Sequence, residues 1–299
     1  MSTADWTFGG TWPYEPRFFT TSDGIHIYYV DEGARDRQPV VMLHGNPTWA
    51  YLYRHLIRGL TEAGFRAVAH DEMGFGRSDK PERESEYTIQ RHAEHFAELM
   101  DELRLDGVTL VLQDWGGPIG LAWAVDHPER VRRLVLLNTF TGWIPPEMGK
   151  VPLLFKLLRA KDTGELLVKR LHAFVRVFVF KGGRPLDGNA KAAYLAPHPT
   201  PASRAGVLAY PRLIPWDEGN PTRPLGRHVE DNLSKLDGKP TLMCWPMKDP
   251  GFGREEILQG MAARFPGAEV HRFADASHCI QEDAHERLVP LLVDWLRRT

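Results

Sequence analysis

The residues best placed to do chemistry in this 299-residue chain lie in Val111-Leu112-Gln113-Asp114-Trp115-Gly116-Gly117. Val108 to Leu112 is an apolar run that reads as a buried strand. Gly116 and Gly117 then open a helical pattern through Ile119-Gly120-Leu121-Ala122-Trp123-Ala124-Val125. A tight strand-to-helix turn exposes the side chain at its apex, beside a helix-start N–H that can stabilise an anion. The apex residue is Asp114, and the serine motif G-x-S-x-G occurs nowhere in the chain. A carboxylate attacks saturated carbon and leaves an ester for water to cleave. Serine-type acyl chemistry is therefore the weaker reading.

A carboxylate nucleophile needs a base to activate water, a group to orient that base, and donors for the charges that develop. His278 is the candidate base. It ends Ala274-Asp275-Ala276-Ser277-His278, directly after an apolar run that closes at Phe273. Asp249, in Trp245-Pro246-Met247-Lys248-Asp249-Pro250, follows the run Thr241 to Cys244 and is the candidate orienting acid. The order nucleophile, acid, histidine is that of α/β-hydrolases. The other place for the acid, after the strand that follows the nucleophile, holds Asn138, which cannot balance an imidazolium.

The backbone N–H groups of Asn46, in His44-Gly45-Asn46-Pro47, and of Trp115 are expected to form an oxyanion hole. The Trp115 indole and the Asn46 amide are neutral side-chain donors. Converging in an apolar pocket, they suit a departing halide.

The elements needed to position these residues are visible as a rhythm. Arg17 to Thr20 and Ile25 to Val30 flank Ser22-Asp23-Gly24, a hairpin signal. Short apolar runs follow at Val40 to Leu43, Arg66 to Ala69, Val108 to Leu112, Leu134 to Leu137, Thr241 to Cys244 and Glu269 to Phe273. Continuous rather than alternating runs mark strands buried on both faces. Helical stretches between them imply an α/β fold, a mostly parallel sheet flanked by helices.

The rhythm breaks after Phe140. Helical patterns at Val151 to Ala160 and Gly164 to Phe180 precede a stretch rich in proline, with no strand signal up to about Arg227. This predicts a helical cap, residues 141–227, inserted into a core of residues 1–140 and 228–299. Its larger apolar side chains are Trp143, Leu153, Leu154, Phe155, Phe174, Phe178, Phe180, Tyr194, Leu208, Tyr210 and Trp216. Most should form the insertion's own core. A few should enclose an apolar pocket beyond the carboxyl ends of the strands.

Composition excludes several classes. A net charge of −2 gives no reason to expect a nucleic-acid partner. No apolar run approaches the ~18 residues of a membrane span, so no membrane partner is expected. Met1-Ser2-Thr3-Ala4-Asp5-Trp6 lacks the basic and apolar regions of a signal peptide. Two cysteines, Cys244 and Cys279, make no disulfide framework and fit a reducing cytoplasm. Cys279 reads as a small buried filler rather than a catalytic thiol. Gly116, Gly117 and Gly120 do not have the G-x-G-x-x-G spacing of a dinucleotide site. His92 and His95 do not form H-E-x-x-H and are expected on a solvated helix face, so no metal site is expected.

The chain resembles the haloalkane dehalogenases of the α/β-hydrolase superfamily over nearly its full length. The matching segments are His44 to Arg54, Gly74-Phe75-Gly76-Arg77-Ser78-Asp79-Lys80-Pro81, Gln113 to Pro118, Trp245-Pro246-Met247-Lys248-Asp249 and Ser277 to Asp283. The resemblance is to the branch with an Asp-His-Asp triad (Asp114, His278, Asp249) and an Asn-Trp halide pair (Asn46, Trp115). Another branch takes a second tryptophan from the cap, and whether Trp143 contributes is left open. The resemblance implies a small apolar halogenated substrate, release of halide, and no cofactor or metal. It leaves open a homo-oligomer.

Three rival readings accompany it. Proteins similar to this branch act as β-lactone decarboxylases in bacterial olefin formation, with the same triad. Epoxide hydrolases share the fold and activate the epoxide oxygen with two cap tyrosines, for which Tyr194 and Tyr210 are the candidates. A non-enzymatic binding protein on this fold often lacks a triad member, whereas all three positions are filled here.

Overall fold

The computed structural model describes residues 5–144, 151–180 and 182–299. Its eight strands are β1 (Arg17–Thr20), β2 (His26–Glu32), β3 (Pro39–Leu43), β4 (Arg66–His70), β5 (Val108–Asp114), β6 (Val131–Thr139), β7 (Thr241–Pro246) and β8 (Glu269–Phe273). They form one sheet in the order β1-β2-β4-β3-β5-β6-β7-β8. Only β2 runs against its neighbours, and every other pairing is parallel.

All eight strands expected from the sequence are present, including the opening hairpin, whose Gly24 takes a φ of +87° at the turn. The continuous apolar runs mark the strands with helices on both sides: β4, β5 and β7 are buried at every residue. The edge strand β1 is mostly exposed.

Two groups of helices flank the sheet. α1 (Arg54–Glu62) packs with α12 (His285–Arg298), and α3 (Gly116–Asp126) packs with α2 (Ile89–Glu102) and α9 (Arg223–Asn232). Residues Gly116 to Val125 of α3 are all buried, as expected of a helix apolar on all sides. α10 (Glu255–Arg264) and the short α11 (Ile280–Asp283) complete this part.

Between β6 and β7 the described residues contain helices but no strand. They are α4 (Leu153–Arg159), α5 (Lys161–Gly164), a π-helical turn (Glu165–Arg170), α6 (Ala173–Phe178), α7 (Gly188–Leu195), α8 (Ala205–Leu213) and the already named α9. The continuous helix expected over 164–180 is interrupted where His172 takes a left-handed φ of +52°.

A second sequence expectation is overturned. His92 and His95 are not on a solvated face but buried, 0% and 4% exposed. His92 Nδ1 lies 2.9 Å from the buried Glu72, which also meets His70 at 2.9 Å, and His95 meets Asp23 at 3.1 Å. A buried histidine is tolerated when a polar partner satisfies it. Those partners lie 20 and 72 residues away, beyond any local pattern.

The turn from β5 into α3 depends on close backbone approach. A Cβ on Gly117 would lie 1.8 Å from Thr139 Oγ1 and 2.6 Å from the Phe140 carbonyl oxygen. Gly117→Ala should therefore destabilise the protein by about 1–3 kcal/mol in urea unfolding, the usual cost of overpacking. Gly188→Ala in α7, where a Cβ meets nothing within 4 Å, is the control and should leave stability nearly unchanged. Equal midpoints for the two variants would contradict this packing.

Candidate active site

Asp114 closes β5 with a φ of +52°, a left-handed conformation uncommon for a residue with a side chain. Strain of this kind persists only where surrounding structure over-determines it. Here the Thr139 hydroxyl donates to the Asp114 carbonyl oxygen at 2.5 Å, and the helix that follows is wedged against β3 and β6 by its glycines. The carboxylate is held by two backbone donors, the Asn46 N–H at 2.9 Å and the Trp115 N–H.

The first of these donors is aimed by its own loop. The Gly45 carbonyl oxygen accepts from Thr48 N–H at 2.9 Å and from the Thr48 hydroxyl at 3.0 Å. His44 Nδ1 lies 3.0 Å from the same oxygen, while His44 Nε2 accepts from Glu72 N–H at 2.9 Å. That second bond makes Nδ1 the protonated nitrogen of a neutral ring. Burial keeps the ring neutral, pushing its pKa down to about 4. With its carbonyl fixed on one side, the Gly45–Asn46 peptide points its N–H at Asp114. Gly45 is required because a Cβ there would lie 2.2 Å from Asp114 Oδ1.

His278 and Asp249 complete the cluster. His278 Nδ1 lies 3.0 Å from Asp249 Oδ2. The other Asp249 oxygen accepts from Gly251 N–H at 2.7 Å and Phe252 N–H at 3.2 Å. Burial alone would raise the Asp249 pKa, but His278 and these amide donors outweigh it and lower it. Burial also opposes charge on His278, yet Asp249 and Asp114 together lift its pKa from 6.5 to about 9. For Asp114 the balance is reversed: burial raises its pKa, opposed by His278 and the two backbone donors. One imidazole ring, its pKa raised, thus sits between two buried carboxyl groups.

These residues border an apolar cavity of about 290 Å³. Asn46, Asp114, Trp115, Asp249, Arg254 and His278 supply its polar wall, and Phe140 and Phe252 line it from the sheet side. Ile144, Pro152, Phe155, Phe174, Pro211, Ile214 and Trp216 line it from the helical insertion. The insertion's aromatic residues thus divide. Phe155, Phe174 and Trp216 face the cavity, while the side chain of Phe178 lies outside the described structure. Trp143 does not line the cavity; it sits under Arg223 and Arg227, 4.6 and 6.0 Å from its ring centre.

Tyr194 and Tyr210 are absent from the cavity wall as well. The Tyr194 hydroxyl donates to Glu282, and Tyr210 packs edge-on against Trp115 at 5.2 Å.

Sequence reasoning missed three supporting side chains. Asn138, set aside as unable to act as the acid, instead holds the acid: its Nδ2 donates to Asp249 Oδ2 at 2.7 Å and to the His278 carbonyl oxygen at 2.9 Å. Asp283 accepts from Ser277 N–H at 2.7 Å, and from Arg184 N–H at 2.7 Å and Gly183 N–H at 3.2 Å in the insertion. Glu282 receives both Arg54 of the core and Tyr194 of the insertion. The loop carrying His278 is therefore tied to the insertion by its next two acidic residues. Their signal was present as Glu282-Asp283, four and five positions after His278. Cys279 is buried and its thiol pKa is pushed well up by that burial, in keeping with a packing role.

Comparisons with known proteins give the fold and the family. A family model described as the alpha/beta hydrolase fold matches residues 38–285. A haloalkane dehalogenase of Mycobacterium marinum is 37% identical over 280 residues, covering 92% of this chain and 90% of that protein. The chain is an α/β-hydrolase of the haloalkane dehalogenase family. Haloalkane dehalogenase 1 of Mycobacterium tuberculosis is 38% identical, with 96% and 95% of the two chains covered. Among solved structures, the haloalkane dehalogenase DatA from Agrobacterium tumefaciens superposes with a TM-score of 0.82 at 30% identity, covering 95% and 96% of the two chains. A cis-3-alkyl-4-alkyloxetan-2-one decarboxylase of Xanthomonas campestris is 33% identical, covering 95% of this chain and 97% of that protein.

The electrostatics of this family member make a stability prediction. Folding raises the His278 pKa, so the charged ring stabilises the native state. That contribution is fully present below pH 6.5 and is lost as pH rises through about 9. Over this window the wild type should lose unfolding free energy relative to His278→Phe, measured by denaturant titration. A pH-independent difference between the two proteins would contradict the shift.

Proposed function

We propose that this protein hydrolyses carbon–halogen bonds of small haloalkanes, releasing an alcohol, a halide and a proton. The observation that carries the reading is a buried aspartate at a strand-to-helix turn, facing an apolar cavity beside two neutral side-chain donors, Trp115 and Asn46. The division into a core (1–140 and 228–299) and a cap (141–227) belongs to the same proposal. α9 crosses the second boundary and packs on α3.

In this mechanism an Asp114 oxygen attacks the carbon bearing the halogen from the side opposite the leaving group. The carbon–oxygen bond forms as the carbon–halogen bond breaks, and the halide takes the bonding pair. The Trp115 indole N–H and an Asn46 amide N–H receive it. Asn46 Nδ2 already donates to the Val207 carbonyl oxygen at 3.2 Å, which orients the amide and leaves its second hydrogen for the halide. Donors that meet charge only as it develops lower the barrier more than they strengthen substrate binding.

Ester formation also changes the histidine. It removes the Asp114 charge, one of the two that raise the His278 pKa. The ring can then lose its proton and act as a base on water, with Asp249 balancing the imidazolium that re-forms. Water attacks the ester carbon as the ring takes its proton, and the oxyanion is held by the Asn46 and Trp115 backbone N–H groups. On collapse the imidazolium returns that proton to the departing alkoxide, and the proton left on the Asp114 carboxyl passes to the ring, restoring the initial arrangement. No metal or cofactor takes part.

The decarboxylase relative supports a second reading with the same triad. The dehalogenase relatives are the more similar, at 37% and 38% identity against 33% for the decarboxylase, and this favours the first reading. An epoxide hydrolase reading loses support because neither candidate tyrosine borders the cavity.

The test is a panel of bromo- and chloroalkanes, an epoxide and a β-lactone, with halide, diol and carbon dioxide all measured. Halide should form. Trp115→Phe and Asn46→Ala should each slow halide formation by about 10²-fold or more, near the value of one lost transition-state donor. The loss should be larger for chloride than for bromide, because the poorer leaving group needs more help. Wild-type rates in both variants, or consumption of the lactone alone, would overturn the assignment.

A further inference from the structure

Large apolar side chains are unevenly distributed over the surface. Seven are exposed among the described residues, and six of them lie between 153 and 177: Leu153, Leu154, Leu157, Leu166, Leu171 and Val177. Leu153 is 72% exposed and Leu171 56%. Leu153, Leu154 and Leu157 share one side of α4, by their spacing. The π-helical turn packs against both α4 and α6, so the exposed residues lie on adjoining elements. Phe155 of α4 and Phe174 of α6 line the cavity from the same elements. These helices are therefore apolar on both sides, and the insertion's own packing accounts for only one of them.

The charge around this surface selects a partner. Residues 151–177 hold six basic and two acidic side chains, a net +4 in a chain of net −2, so the remainder is net −6. Arg159 and Lys169 pair with Asp217 and Glu165, while Lys156, Lys161, Arg170 and Arg176 are exposed within the same segment. Exposed leucines interleaved with lysine and arginine are the composition of an interfacial surface. Its apolar side chains enter the headgroup boundary of a bilayer and its cations meet anionic lipid. A symmetric contact with a second copy would set this cationic surface against itself.

We propose that the outer side of α4, the π-helical turn and α6 is a docking surface for a lipid bilayer with anionic headgroups. No described helix is long and apolar enough to cross a membrane, and none is needed, because the contact is peripheral. A docked molecule holds its cavity wall, formed by these same helices, against the lipid. An apolar substrate dissolved in the bilayer is then concentrated about one helix diameter, ~10 Å, from the cavity. The inference concerns the surface and stands whatever bond the site breaks.

The full-length chain is mixed with sedimenting vesicles of phosphatidylcholine alone or with phosphatidylglycerol in equal amount, at low and high salt. It should bind the anionic vesicles, bind phosphatidylcholine at least about tenfold more weakly, and be released by salt. Leu153→Ser with Leu157→Ser, and separately Lys156→Glu with Lys161→Glu, should each reduce partitioning about tenfold or more while circular dichroism stays unchanged. None of these four residues lines the cavity. Failure to bind anionic vesicles overturns the proposal, as does equal binding to both lipids or binding that neither double variant weakens. A wild type that ignores vesicles but sediments as a dimer, which the leucine variant converts to monomer, would assign the surface to a second copy instead.

Discussion

One imidazole ring between two buried carboxylates is the interaction on which the rest of the site depends. Asp114 and Asp249 are both nearly excluded from solvent, and neither could remain charged there unaided. His278 offsets both charges, and the backbone supplies the remainder: Asn46 and Trp115 N–H on Asp114, Gly251 and Phe252 N–H on Asp249. Each donor comes from a loop at the carboxyl end of a strand, so the sheet order is what lets one histidine face both acids. The left-handed backbone at Asp114 follows from the same requirement, because it turns the side chain out of the strand and toward the ring.

This balance also gives the proposed reaction its sequence of events. A charged histidine is no base, and a resting site that holds it charged protects the nucleophile's own charge. Alkylation of Asp114 cancels one of the two negative charges and shifts the ring toward its neutral, basic form. The neutral ring that can take a proton from water is thus most available when the ester it must help to cleave is present. The proton leaves with the alcohol and halide, and the initial arrangement returns.

Much of this was legible in the residues. The strands were visible because a sheet covered by helices demands unbroken apolar runs, and β4, β5 and β7 obey that demand at every position. Asp114, Asp249 and His278 were visible because each follows such a run. What stayed hidden depended on partners distant in the chain. His92 looks like a surface residue until Glu72 is placed beside it, and Asn138 looks inert until Asp249, 111 residues later, accepts its amide hydrogen. The direction of single aromatic rings was equally illegible. Trp143 and Trp216 are alike as letters, yet Trp216 faces the cavity and Trp143 lies beneath two arginines.

The claim that most needs a direct test is that an Asp114 oxygen forms the new bond to carbon. A single turnover in ¹⁸O-labelled water, with enzyme in excess over a bromoalkane, measures this. The ester route gives a first alcohol whose oxygen comes from Asp114 and is unlabelled, while one heavy oxygen appears in the carboxylate of the peptide containing Asp114. Alcohol fully labelled in that first turnover, with an unlabelled Asp114, would mean that water attacks carbon directly and would contradict the account.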